Sequence, residues 1–264
     1  MKKRWLAYLA WGIVGYLVFL VATVPAGWLA WGVGHFSRGV VSIERGQGSL
    51  WHGTGHLIVY HPQATPRDLG QAEWRVYLWS MLLARLRVSL NAVGPQSTFS
   101  ATVTLSPRQA VLINSRLSAS ARFASAFYAA ASLMAPTGQL RANTEEFRLD
   151  REGLHGAAQL FWDRAGSDLS SVNPLGDYRL DVNGKGANVV FKLATVRGTL
   201  EVTGQGRWQP LQDGMLQISG YARARAQQKE LQPLLQLLGA EQGGRRSFQL
   251  RLQLPVRNFL LLWP

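Results

Sequence analysis

Hydrophobic and polar residues follow two regimes along this chain. From Trp5 to Gly34 no residue is charged, and Trp5–Val24 alone (WLAYLAWGIVGYLVFLVATV) is an unbroken apolar run. About 20 such residues span the hydrocarbon core of a bilayer at about 1.5 Å per residue, so this run predicts a transmembrane helix. Pro25 interrupts it, and the short, Trp-rich Ala26–Val33 suits the membrane interface. From Trp51 onward the period drops to two, the mark of half-buried strands. Trp51, Gly53, Gly55, Leu57 and Val59 alternate with His52, Thr54, His56, Ile58 and Tyr60. The same alternation returns over 85–92, 99–106, 154–162, 178–182, 200–208, 216–222 and 248–254. Val93-Gly94-Pro95, Asn183-Gly184, Asp213-Gly214 and Gln242-Gly243-Gly244 read as the turns between them.

Three segments break the rhythm and predict short helices: Leu78–Ala84, the Ala-rich Phe123–Met134, and the amphipathic Lys229–Leu238 before Gly239. Each is expected to cover a sheet edge or plug an open end. The predicted class is therefore mainly β. A single N-terminal transmembrane helix precedes a curved or partly closed antiparallel sheet with a few short covering helices. The expected divisions are a cytoplasmic N-terminus at 1–4, an anchor and interfacial segment at 5–34, a β-rich domain across the membrane at 35–257 (periplasmic on the resemblance given below), and an apolar tail at 258–264.

The flanks of the apolar run set its orientation. Lys2, Lys3 and Arg4 precede it, whereas Arg38 and Arg45 are the nearest basic residues beyond it. That asymmetry places the N-terminus in the cytoplasm and the rest across the membrane, with Trp5, Tyr8 and Trp11 and then Trp28 and Trp31 as aromatic belts. Val24-Pro25-Ala26 resembles a signal cleavage site, but the run exceeds the usual 7–15 apolar residues of a signal and continues past that point.

Composition narrows the function. The chain has no cysteine, which excludes thiolate chemistry and implies a core built without disulfides. Lys and Arg number 28 against 15 Asp and Glu, for a net charge of +13. Such a balance suits nucleic acid, anionic headgroups or an acidic partner. The arginines are spread from Arg38 to Arg257, and Arg with Ala, Gly and Leu also reflects a GC-rich genome. Nucleic acid is excluded as a partner because the domain faces away from it.

Candidate chemistry is sparse. His52, His56 and His61 cluster in sequence, but residues four apart on a strand lie about 13 Å apart, too far for one zinc. His35 belongs to the interface and His155 is isolated. Glu145, Glu146, Asp150 and Glu152 alternate with Arg141, Arg148 and Arg151 as a solvated face. Asp163, Asp168 and Asp177 leave a paired acid–base site open. No nucleophile elbow, phosphate loop or complete dinucleotide fingerprint is present. The chain predicts no catalytic, cofactor or metal site, and no enzyme. Small residues at Gly53, Gly55, Gly156, Ala158, Gly220 and Ala222 permit tight curvature, or leave room for an acyl chain.

The order of these elements resembles protein N of the bacterial type II secretion system. The likeness rests on Gly46-Gln47-Gly48-Ser49-Leu50-Trp51-His52-Gly53 after the anchor and on the Trp74 strand leading into Leu82–Arg87. It continues through Phe161-Trp162, Asn173-Pro174-Leu175-Gly176-Asp177-Tyr178, Gly206-Arg207-Trp208 and the Leu234–Gly239 segment. Asn258–Pro264 departs from the pattern. The resemblance implies an inner-membrane accessory subunit of the machine that exports folded proteins from the periplasm, without catalytic residues. It implies other type II secretion subunits as partners: inner-membrane components, with the outer-membrane secretin as a further candidate. The alternative is a lipid-handling module, a curved sheet sheltering acyl chains with phospholipid or lipopolysaccharide contact.

Overall fold

A computed structural model of the chain describes residues 11–13, 15–16, 19–37, 39–61, 64–126, 135–212, 214–236 and 241–253. Among the described residues fourteen strands form one sheet: β1 (Val41–Gly48), β2 (His52–His61), β3 (Ala64–Tyr77), β4 (Leu86–Val93), β5 (Ser97–Leu105), β6 (Gln109–Ser120), β7 (Pro136–Asp150), β8 (Gly153–Ser167), β9 (Gly176–Gly186), β10 (Asn188–Gly198), β11 (Leu200–Trp208), β12 (Met215–Ala224), β13 (Glu241–Gln242) and β14 (Arg245–Gln253). Spatial order follows chain order to β12, then β14 and β13, and every pairing is antiparallel. The mainly-β antiparallel expectation holds, and among the described residues the sheet is open, since β1 does not pair with β13 or β14.

Register explains why the sheet forms. Trp74 lies opposite Gly53 and Leu90, and Val103 lies opposite Val88. Phe147 faces Leu112, Leu160 faces Ala142 and Leu180, and Leu193 lies against Leu180. Ile218 pairs with Gly206 and Leu250. Partners on adjacent antiparallel strands project from one face, so these pairs make one apolar face running from β2 to β14. The opposite face carries the polar set, with Glu73, Arg75, Asn91, Ser100, Arg116 and Asn143 in adjacent registers. Cα atoms of β8 and β10, and of β9 and β11, approach within 8 Å. Alternate strands of a flat sheet lie about 9.6 Å apart, so the sheet is curved there.

The apolar face is packed at its two ends. Helix α1 (Gly27–Phe36) sets Leu29, Ala30 and Val33 against a cluster containing Ala26, Ile43, Trp74 and Val76. Helix α3 (Gln228–Gln236) buries Leu231 and Leu235 against Val172, Leu175, Leu200 and Ala222. Between the clusters the same face is half-buried, at Leu112, Leu140, Phe147, Leu160, Leu180 and Phe191.

Several expectations change. Helix α1 takes up Gly27–Val33 of the segment read as interfacial, with Leu29, Ala30 and Val33 on the sheet and Trp28 and Trp31 exposed. Among the described residues no helix is long and apolar enough to cross a membrane. Residues 11–13, 15–16 and 19–22 are helical, and Trp5–Ala10 of the expected anchor lie outside the described residues. Helix α2 (Leu78–Met81) occupies the first turn of the predicted 78–84 helix, but it covers nothing: Trp79 is 82% exposed. A 3₁₀ turn spans Ala121–Ala126, and residues 127–134 of the predicted Phe123–Met134 helix fall outside the description, as do 237–240 and the 258–264 tail. Asn183-Gly184 is no turn. It lies inside β9, where a Cβ on Gly184 would sit 2.6 Å from the Leu154 carbonyl oxygen. The glycine is required by close approach of β8.

Candidate functional site

Asp163, Asp168 and Asp177, left open as an acid–base pair by the sequence, each meet a different arginine. Arg141 donates to Asp163 from Nε (2.5 Å) and Nη2 (2.9 Å), and Arg122 Nη2 donates to Asp168 at 2.8 Å. Asp177 accepts from the Arg164 backbone N–H at 2.6 Å and from Arg197 Nε. The Arg164 N–H holds the Asp177 carboxyl below its ordinary value against the opposing effect of burial, and Arg197 adds to the lowering. Glu201, 7% exposed, accepts from Arg223 Nε and, at 3.1 Å, from Arg225 Nε. Arg225 first and Arg223 second depress its carboxyl. Carboxyls held ionised in this way are poor proton donors at neutral pH, and they brace adjoining strands instead.

A pH dependence follows from these two groups. A carboxyl whose folded pKa lies below its unfolded value contributes stability above the unfolded pKa, near 4. That contribution is lost as pH falls through the folded pKa. The melting temperature of the full chain in detergent should therefore fall between about pH 5 and pH 3, and Asp177→Asn should weaken that dependence. A flat profile would contradict the assignment.

The histidines do not converge. His52 Nε2 lies 3.3 Å from Glu73 and His56 Nδ1 3.4 Å from Asp68. His155 Nε2 is 3.4 Å from Asp150, within ionic range but without hydrogen-bond geometry. Among the described residues no three His, Asp or Glu side chains are grouped to hold a metal ion.

What the fold leaves uncommitted is surface. Leu231 and Leu235 of α3 are buried inside the fold, while Gln228, Lys229, Glu230, Gln232 and Gln236 face outward. Helix α3 is a cap on its own sheet. The β1 edge is tied at one end by Ala26 N–H to the Gly48 carbonyl and by a Pro25–Ser49 bridge, and a register shift between Glu44 and Gln47 kinks it. Such kinks blunt edges. The β14 edge differs. β13 pairs only with Arg245 and Arg246, so among the described residues Ser247–Gln253 has a partner, β12, on one side alone.

The class so defined is an open, one-sided antiparallel meander whose uncommitted features are a strand edge and apolar surface. Residues 40–251 match the model of the family described as type II secretion system protein N, and the chain belongs to that family, an accessory component of the type II secretion machinery. No curated protein and no solved structure matches the chain.

Proposed function

We propose that this chain is a non-enzymatic docking subunit of the type II secretion machinery. Residues 5–34 would hold it in the inner membrane with residues 1–4 in the cytoplasm, and its sheet would stand in the periplasm. The observation that carries the docking role is the one-sided Ser247–Gln253 edge of β14, where a partner strand can add by backbone hydrogen bonds. The charge asymmetry across the apolar run supports the orientation. One helix cannot enclose a pore, so the anchor supplies position and the sheet supplies contacts.

One observation favours a second reading, lipid shelter: the apolar face between the two packed ends is half-buried along β5–β10. A single experiment separates the two. The full chain is purified from its native membranes in mild detergent, with a photo-crosslinking amino acid at Gln249. Protein and lipid mass spectrometry are then run on the same sample. Docking predicts crosslinks to secretion subunits and loss of folded-exoprotein secretion on deletion, with export into the periplasm intact. Stoichiometric phospholipid or lipopolysaccharide without crosslinked subunits, together with normal secretion, would replace docking by lipid shelter.

A further inference from the structure

The connection between β3 and β4 breaks the rule that exposed loops are polar. Trp79, Leu82 and Leu83 are 82%, 76% and 71% exposed, and Leu78 and Met81 are also exposed. The one polar side chain of this run, Ser80, is turned inward: its Oγ donates to the Tyr77 carbonyl at 2.5 Å and accepts from the Arg87 N–H at 3.1 Å. The Ser80 carbonyl takes the N–H groups of Leu83 and Arg85 at 3.1 and 3.0 Å. The result is a knob whose backbone is largely satisfied from within and whose apolar side chains face outward. Internal satisfaction of backbone polar groups is the condition for entering lipid.

Its place in the fold says what covers it. The knob follows β3, whose Val76 N–H donates to the Trp51 carbonyl at 2.7 Å. Trp51 Nε1 in turn donates to the Val21 carbonyl at 2.7 Å, and the Leu50 N–H to Val24 at 2.8 Å. The knob therefore stands at the end of the sheet tied to the apolar N-terminal segment, whose Trp11, Phe19 and Val21 are exposed as well. Charge agrees. The 71 residues from Trp74 to Thr144 hold seven arginines and no acid. Arg85 and Arg87 adjoin the knob, and Arg108 lies in the β5–β6 turn at the same end. Arg85 and Arg87 also line a groove of about 380 Å³ with Leu83, Ser106 and Val111, pairing cations with apolar floor as an anionic amphiphile requires.

We propose that the β3–β4 knob inserts into the anionic leaflet beside the anchor, with Trp79, Leu82 and Leu83 below the headgroups and Arg85, Arg87 and Arg108 on the phosphates. This rests on the membrane anchoring proposed above. The sheet is thereby held at two points, which fixes its tilt.

The absence of cysteine makes the test direct. Single variants Leu82→Cys, Ile13→Cys in the anchor and Asn91→Cys on the polar face are labelled with an environment-sensitive fluorophore. Each full chain is reconstituted in phosphatidylethanolamine–phosphatidylglycerol vesicles. Labels at 82 and 13 should emit blue-shifted, be quenched by doxyl lipid and lose quenching by iodide, while 91 behaves oppositely. Arg85→Glu with Arg87→Glu should reduce doxyl quenching at 82 and leave 13 unchanged. If 13 is in lipid and 82 is quenched by iodide, the knob proposal is wrong and the anchor stands. A label at 82 shielded from both quenchers would mean that protein covers the knob, which also overturns it. A label at 13 outside lipid overturns the anchor reading, and this one with it.

Discussion

Replacing Trp74 with alanine is expected to lower the unfolding free energy by about 3–5 kcal/mol, the range for emptying a buried aromatic site. Trp74 is 1% exposed and donates from Nε1 to the Ser49 carbonyl at 3.2 Å. Its indole occupies the space above Gly53, where an added Cβ would lie 2.5 Å from Cζ2. The same ring joins the cluster that receives Leu29, Ala30 and Val33 of α1. Truncation thus opens a cavity and loosens the junction between the N-terminal segment and the sheet. The pattern of the sequence favours Trp51 as the large residue over Gly53 and Gly55. The structure moves that role to Trp74, because cross-strand register and not sequence proximity decides what covers a glycine. Trp51 precedes β2, is half-buried and bonds to Val21, so Trp51→Ala should cost less. Urea unfolding of both variants in detergent, followed by circular dichroism, measures the order; equal losses, or a larger loss for Trp51, would refute it.

The second large effect is expected from Arg223→Glu combined with Arg225→Glu. Period-two parity sets both on the face opposite Leu216, Ile218, Gly220 and Ala222. In the fold both guanidiniums converge on Glu201, which is nearly inaccessible. Reversing them puts three carboxylates together at the β11–β12 pair, on the face opposite the cluster capped by α3. Breaking a buried pair costs about 3–5 kcal/mol. The arginine side chains are 41% and 45% exposed, and solvent screening reduces this to about 2 kcal/mol or more. Loss of partner binding in this variant would therefore report unfolding. Thermal melts at neutral pH should show the destabilisation, and adding Glu201→Gln should recover part of it. A melt identical to the parent's would show that Glu201 does not depend on these arginines.

Much of the sheet was legible from alternation, and irregular registers hid part of the rest. β1 shifts register between Glu44 and Gln47, with Arg45 at φ 52°. β6 is interrupted at Asn114, φ 49°, opposite the shift between Ser100 and Thr102. Each irregularity flips the parity on which a period-two reading depends. β10 places apolar Val189 and Val190 on opposite faces and so shows no alternation at its start. The separate fates of Asp163, Asp168 and Asp177 were illegible, because their partners Arg141, Arg122 and Arg197 arrive from other elements. The knob was half legible. Leu78–Ala84 reads as a short apolar helix, but only the fold shows that nothing in the sheet receives it. The acid-free stretch from Trp74 to Thr144 is plain in the sequence; its meaning waits on knowing which turns share one end of the sheet.

Strand order gives this protein a direction in time. Up to β12 every strand pairs with the one synthesised just before it. Chains are delivered N-terminus first at about 5–20 residues per second, so each new strand meets a template already in place. Most of these connections are short, the one between Ser120 and Pro136 being the exception, and short closures keep the entropy of pairing low. The sheet can therefore lengthen vectorially, one ladder at a time. The exception is the last step, where β14 passes over β13 to reach β12, so completion of the array waits for the final strand to leave the machinery that delivers it.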